Sequence, residues 1–557
     1  MRIFALAKCS LKTRLSQKKE NMVLTDILWA TKIVETLYSW IWSPFLVGLC
    51  LLSALYFSLR TRFVQVRRLG EMCRLLFSTD KTQKMGITSF QAFAMALSGR
   101  VGTGNIVGVA TAIGFGGPGA IVWMWLIAFF GAGSAFVEAT LAQIFKENHH
   151  GQYRGGPAYY IEKGLHSTFF GCVFAVVTAF ACGLFMPPVQ CNGIALSMSQ
   201  AFGVAPWIIG LAVALLIALV IIGGVKRIAN VAQIVAPFMA ILYILLSIVV
   251  LVVHYKLVPG VFLDMLRGAV GAGPLGSAIL GSTISWGVKR GIYSNEAGQG
   301  TGPIVAAAAK VSHPVKQGLV QAFSVYIDTL LVCTATAMMI LACQTYNILD
   351  SVQVTAAGET TVTYLQQNAG APAGEPGVFY TIGAISTLIG QRAGANLVSI
   401  ALFFFAFTTI MAYYYYAETN LVYLFSRFRR WQLSRKKAKG LDMEAAQKAA
   451  DEADRVFGDD RSEKVVVWIL RLCTITSVFV GSLTTSGVTW TLGDIGVGTM
   501  AWINLIAILL LSPKALRALR DYEQAKKQGE EPQFDPKKLD IQGAEFWESR
   551  MDPSSES

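Results

Sequence analysis

Ser98-Gly99-Arg100-Val101-Gly102-Thr103-Gly104-Asn105 stands in the middle of an apolar run extending over residues 88–114. A helix crosses a bilayer core with about 20 mainly apolar residues, because its backbone N–H and C=O groups must pair internally there. Glycine costs up to about 1 kcal/mol in a helix interior, and each backbone group freed in lipid costs several more. Glycines and polar residues at the centre of a span therefore mark a helix that breaks. A second such run is Ser282-Thr283-Ile284-Ser285-Trp286-Gly287-Val288-Lys289-Arg290-Gly291, continuing into Ser294-Asn295-Glu296-Ala297-Gly298-Gln299-Gly300-Thr301-Gly302-Pro303.

Working outward, eleven apolar segments are long enough to be spans: 42–60, 88–114, 119–145, 168–200, 206–224, 230–254, 274–309, 318–344, 394–426, 464–485 and 490–512. The shorter apolar stretch 377–390 is expected at the membrane surface. With the first span set aside, the two interrupted segments are the first and sixth of the remaining ten. An all-α integral membrane protein follows, with one extra N-terminal helix ahead of a five-plus-five inverted repeat. The expected units are an N-terminal segment 1–41, the extra helix 42–60, a first repeat 88–254, a second repeat 274–512 containing a cytoplasmic linker 427–464, and a cytoplasmic tail 513–557. Glycines also let helices pack closely. That is the preferred account of Gly108, Gly131 and Gly481, whereas Gly102 and Gly104 beside Asn105 read as a break.

Composition agrees with a membrane protein. Of 557 residues 54% are apolar and only 15% charged, against roughly 25% charged in an ordinary soluble domain. The net charge of +13 comes from basic residues in short loops, not from a basic stripe on a soluble face, which argues against a nucleic-acid partner. Loops 60–84, 146–163, 223–230, 310–317 and 427–464 carry 25 Lys and Arg, while the intervening loops carry only Lys256, Arg267 and Arg392. By the positive-inside rule the first set faces the cytoplasm, and the C-terminus with it. An odd number of spans then puts the N-terminus outside, which conflicts with six basic residues in 1–21; a true start at Met22 would remove the conflict. The nine cysteines show no CxxC pair, and all five histidines fall at or beyond span ends, which disfavours haem and an intramembrane histidine relay. No GxxxxGK[ST], HExxH or TVGYG-like filter occurs, so a pump, a metalloprotease and a potassium-type channel are disfavoured against a carrier that is not an enzyme.

The runs GRVGTGNIVGVATAIGFGGPGAIVWMW (99–125), GVKRGIYSNEAGQGTGP (287–303) and FAFTTI (405–410) resemble the alanine/glycine:cation symporter family, whose members share the LeuT-type five-plus-five fold. The resemblance implies Na⁺-coupled uptake of a small neutral amino acid, alanine by default, through a bacterial inner or plasma membrane. It implies that backbone amides around Gly102, Thr103 and Gly104 receive the substrate carboxylate, that Asn105 supplies a side-chain oxygen, and that Gln190 faces the substrate. Ser285, Trp286, Gly287 and Tyr293 would form the opposite wall. Na⁺ would lie among the hydroxyls of Thr408 and Thr409 and the carbonyls near Ser98 and Val101. Simpler roles stay open: Asn105 as a bundle hydrogen bond, each threonine bonding its own preceding turn, Trp286 as packing. Many relatives carry tryptophan where this chain has Tyr413, which leaves the exact amino acid open. Glycine, serine or glutamine are the rival substrates, and H⁺ is the rival to Na⁺. Arg100, with Glu138 as its suggested partner, and the intramembrane carboxylates Asp328 and Glu418, with Lys289 or Arg290 as counter-charges, are further functional suspects.

Overall fold

The structure is a computed structural model that describes residues 32–77, 86–272, 276–354, 360–437 and 461–550. The expectations about 1–21 and Met22, and most of the linker 427–464, lie outside the described residues. The first span, α1 (Lys32–Arg60), begins ten residues earlier than its apolar pattern and bends at Ser43, where Pro44 restarts the helix.

Thr88 starts the first interrupted helix. Its hydroxyl accepts the Gln91 N–H (3.1 Å) while the Gln91 side-chain oxygen accepts the Thr88 N–H (3.0 Å), a reciprocal cap for two otherwise free donors. The helix runs over Ser89–Arg100 (α2) and ends where Val101 turns extended (φ −80°, ψ 93°). It resumes as a π-helical turn, Gly104–Gly108, that passes into Val109–Gly116 (α3). Ala120–Ile144 (α4), Thr168–Phe202 (α5), Pro206–Ile221 (α6) and Gly224–Val253 (α7) complete the first set of five.

The second set opens with Leu280–Asn295 (α8), which stops at Glu296 in the left-handed region (φ +56°). Gly298 (φ +84°) and Gly300 (φ +92°) carry the chain round before Gly302–Ala308 (α9) restarts the helix with Pro303 in its first turn. Pro314–Ala342 (α10) follows, then the short Val378–Ile389 (α11), Gln391–Lys437 (α12), Arg461–Gly481 (α13) and Ser486–Lys527 (α14). Among the described residues, eight helices are long and apolar enough to span a bilayer. Pro206–Ile221 and the two interrupted helices are too short piece by piece, and with them the count returns to eleven.

The halves α2 and α9 pack together, as do α3 and α8. The two interrupted helices therefore run antiparallel with their breaks side by side, as an inverted repeat requires. α6 and α7 turn Leu215, Leu219, Phe238, Ile241 and Leu245 outward as an exposed apolar band suited to lipid, while α2, α9 and most of α4 and α10 are buried.

α14 continues through Pro513 to Lys527, so the first part of the expected tail is helical. α11 buries Tyr380, Ile382 and Ile385, and Pro376 just before it lies against Gly114. The chain also adds two short hairpins, Glu147–His149 with Gln152–Arg154 and Ile348–Val354 with Thr360–Gln366.

Candidate substrate and cation site

The break after α2 leaves carbonyls without helical donors, and α12 meets them. The Thr409 Oγ1 lies 2.8 Å from the Ser98 carbonyl, 3.1 Å from the Val101 carbonyl and 2.9 Å from the carbonyl of Phe405 on its own helix. Thr408 Oγ1 stands 2.9 Å from the same Phe405 carbonyl and 3.1 Å from that of Phe404. A hydroxyl has one proton to give. Three carbonyls crowd around the Thr409 proton, a surplus of buried acceptors suited to a cation that takes oxygen ligands. Of the two threonines, Thr409 alone reaches across to the break; the Thr408 hydroxyl turns back onto the preceding turn of α12.

The freed amides are also occupied by side chains. Gly102 N–H donates to Asn105 Oδ1 (2.8 Å) and Thr103 N–H to Gln190 Oε1 (3.0 Å). The Asn105 amide in turn donates to Asp328 Oδ1 (2.6 Å) on the π-helical stretch of α10. A side chain at Gly102 is excluded, because its Cβ would stand 2.5 Å from Thr409 Oγ1 and 2.8 Å from Gln190 Oε1. A Cβ on Gly104 would stand 3.2 Å from the ring of Tyr293, and Tyr413, one turn on from Thr409, is fully buried. The positive end of the resumed helix and these N–H groups suit a carboxylate.

A cavity of about 530 Å³ leads to Thr103 along α3, past Val107, Thr111, Phe115, Asn192 and Trp286. Phe115 and Trp286, both on its lining, stack on each other (4.6 Å between centroids, 15° between planes). Beside them Arg290 makes a bidentate pair with Asp494 (2.8 and 3.0 Å) under the ring of Trp490, a geometry that fixes both charges in one plane. Asn192 lines the same cavity and ties α5 to α14 through Thr484 O (2.7 Å) and the Ser486 hydroxyl (2.9 Å).

The second polar run differs from its reading. α8 is unbroken through Ser285, Trp286 and Gly287, and the break falls later, at 296–301. Gly287 is a helix-crossing position: a Cβ there would stand 2.5 Å from the Ala120 carbonyl of α4. Trp286 lines the cavity, and of this wall Tyr293 alone abuts the first break. The charge assignments also change. Arg100 donates to Ser324 and, at 3.4 Å, to Gln321, while Glu138 instead accepts the Asn504 amide (2.8 Å) and Gly298 N–H (3.3 Å). Glu418 pairs with Arg154 (2.8 Å). Arg290 pairs with Asp494, Lys289 donates to the Tyr38 hydroxyl, and Asp328 is held by Asn105, Ser294 and Thr329. Asp494 and Asn504 are site residues that the sequence reading does not name; each stands as a polar residue inside the apolar segment 490–512. Ser294 and Phe405 lie within quoted runs, and their roles come from the structure.

With this geometry in place, the sequence matches the Sodium:alanine symporter family over residues 27–438 and 455–536. The chain belongs to that family. Its relatives include YrbD of Bacillus subtilis (strain 168), 50% identical over 523 residues that cover 94% of this chain and 99% of that one. The sodium/proton-dependent alanine carrier protein of Bacillus sp. (strain PS3) is 43% identical over 85% of this chain and 96% of its own length. Among solved structures, MhsT in complex with L-phenylalanine aligns with a TM-score of 0.47 at 15% identity, covering 79% of this chain and 98% of that one. This member of the sodium:alanine symporters is thus a multi-pass membrane protein of a transport family.

Proposed function

We propose that this chain imports alanine, or another small neutral amino acid, together with Na⁺, by alternating access around the first break. The observation that carries this is the convergence of the Ser98, Val101 and Phe405 carbonyls on the single Thr409 hydroxyl, with the Thr408 hydroxyl on the far side of Phe405 O. Na⁺ takes up those lone pairs. The substrate carboxylate takes the Gly102 and Thr103 N–H groups from Asn105 and Gln190, and Tyr293 and Tyr413 bound its small side chain. The membrane is the bacterial inner or plasma membrane, and the C-terminus lies in the cytoplasm on the strength of the Lys and Arg bias. Each Na⁺ carried inward with a zwitterion moves one positive charge, so 100 mV of potential adds about 2.3 kcal/mol to the drive.

The test is uptake of labelled L-alanine into proteoliposomes under an inward Na⁺ gradient against matched choline, for the parent and Thr409→Ala. Sodium-driven accumulation lost in the variant is the expected result; folded parent protein without Na⁺-stimulated alanine uptake would overturn the proposal. A second reading makes H⁺ a coupling ion. Its support is Asp328, fully buried and hydrogen-bonded by Asn105, Ser294 and Thr329. Uptake driven by an acid-outside gradient in sodium-free buffer decides for or against it.

A further inference from the structure

The chain beyond α14 does not trail away. Its residues 531–547 return across the ends of the two interrupted helices that lie farthest from the cavity. There Ile87, just ahead of α2, and Ala309, just past α9, form a parallel bridge: Ile87 N–H donates to Ala308 O and Lys310 N–H to Ile87 O, both at 3.1 Å. The returning segment grips this bridge at two points. At the first, Phe534 N–H donates to Ser312 O (3.2 Å) and the Ser312 hydroxyl to Pro532 O (2.9 Å).

At the second, the Trp547 indole N–H donates to the carbonyl of Gln143 (2.8 Å), and the Gln143 side chain donates to the carbonyls of Ala306 (2.5 Å) and Ala309 (2.9 Å) at the end of α9. Lys146, one turn on, donates to the same Ala309 carbonyl (3.0 Å) with its ammonium enclosed by the rings of Tyr153, Phe546 and Trp547 at 4.5 to 5.2 Å. Phe534 and Trp547 are 2% and 4% exposed, so the segment is packed as firmly as the core it covers.

We propose that residues 531–547 are a strap, locked by Trp547 through Gln143, that clamps the inner ends of both interrupted helices and must release before substrate leaves on the inner side. The proposal rests on the transport reading and its sidedness. Its physical basis is local, however. A helix that opens inward has to part Ile87 from Ala309, and the Ala309 carbonyl is bound by Gln143 and Lys146, both held by the strap. Closure at this end and a cavity at the other make the molecule outward-facing as it stands, and the strap a determinant of how often it turns.

Hydrogen–deuterium exchange of the full chain in nanodiscs tests the clamp without reference to any substrate. In Trp547→Ala, the Ile87 and Lys310 amides are expected to exchange at least about tenfold faster, while amides of α12 around Thr409 keep their protection. Unchanged exchange at Ile87 and Lys310 would overturn the strap. Should Trp547→Ala lose protection throughout, Trp547→Phe decides, because it keeps an aromatic ring beside Lys146 and Phe534 and removes only the indole N–H to the Gln143 carbonyl. In that variant the Ile87 and Lys310 amides are expected to exchange faster and Na⁺-driven alanine uptake to run at an altered rate. No change in either would overturn the strap. Failure of the wild-type chain to take up alanine counts against the proposed substrate and leaves the exchange result standing.

Discussion

The two breaks lie side by side yet solve opposite problems. At the first, backbone groups are met by side chains that a ligand can replace: Thr409 over the Ser98 and Val101 carbonyls, Asn105 and Gln190 over the Gly102 and Thr103 amides. At the second, Asn504 donates both to the Gly298 carbonyl (2.9 Å) and to Glu138 (2.8 Å), Glu138 takes the Gly298 N–H, and the Asn295 side chain takes the Ala297 N–H (2.9 Å). The Tyr160 hydroxyl closes the set on Asn504. At the first break three carbonyls converge on one hydroxyl; at the second, Ala297 and Gly298 are tied by side chains of α8, α4 and α14. A break with surplus carbonyls beside a cavity is a receiving site, and one tied from three helices is a fixed bend.

The sharpest way to break this contrast is Thr409→Ala, which removes the one hydroxyl that meets the Ser98 and Val101 carbonyls. The Na⁺ concentration for half-maximal alanine uptake should rise about tenfold or more, the equivalent of one strong polar contact; an unchanged Na⁺ titration would erase the distinction. Asn504→Ala should do the reverse. It leaves the Gly298 carbonyl and Glu138 short of a donor, at about 1–3 kcal/mol of stability, seen as a lower Tm in detergent with the Na⁺ dependence of the surviving protein unaltered.

Gln190→Ala removes the acceptor that the substrate carboxylate has to displace from the Thr103 amide, so the KM for alanine should fall several-fold with a smaller change in Na⁺ activation, which separates the substrate side of the first break from its ion side. Thr408→Ala is expected to shift Na⁺ activation less than Thr409→Ala, because its hydroxyl reaches only carbonyls of its own helix; the opposite ranking would move the ion toward α12. The smallest effect lies away from both breaks. Burial raises the Glu147 carboxyl, but Arg427 and Lys163 together hold it down at about 2 from an ordinary 4.5. A depressed carboxylate stabilises the fold above its unfolded value and loses that contribution as the pH falls toward 2. Tm measured between pH 4.5 and 2 should fall more in the parent than in Glu147→Gln.

Much of the first break was readable in order along the chain. Gly102, Thr103 and Asn105 announce themselves as polar residues inside an apolar span, and paired threonines in FAFTTI supply hydroxyls where lipid-facing helices have none. Gln190 was legible only through the family likeness. The Phe405 carbonyl was invisible, since every helical residue has one and only its position two hydroxyls deep makes it a candidate ligand. Asp494 could be seen as a buried carboxylate, but its partner Arg290 lies 204 positions away. Gly287 misled for a related reason: glycine that breaks a helix and glycine that admits a neighbouring backbone look alike until the Ala120 carbonyl is found 2.5 Å from the missing Cβ.

By itself, then, the sequence determined that the chain spans a membrane, in how many passes, and that two of those passes are interrupted. These are consequences of hydration and of backbone hydrogen bonding in lipid, which act on each segment separately. Only the tertiary structure decided which interruption faces a cavity, which charges pair, and that residues 531–547 close over Ile87 and Ala309. Those depend on which donors reach which acceptors across hundreds of positions, and hydrogen bonds of about 3 Å carry no trace in local composition.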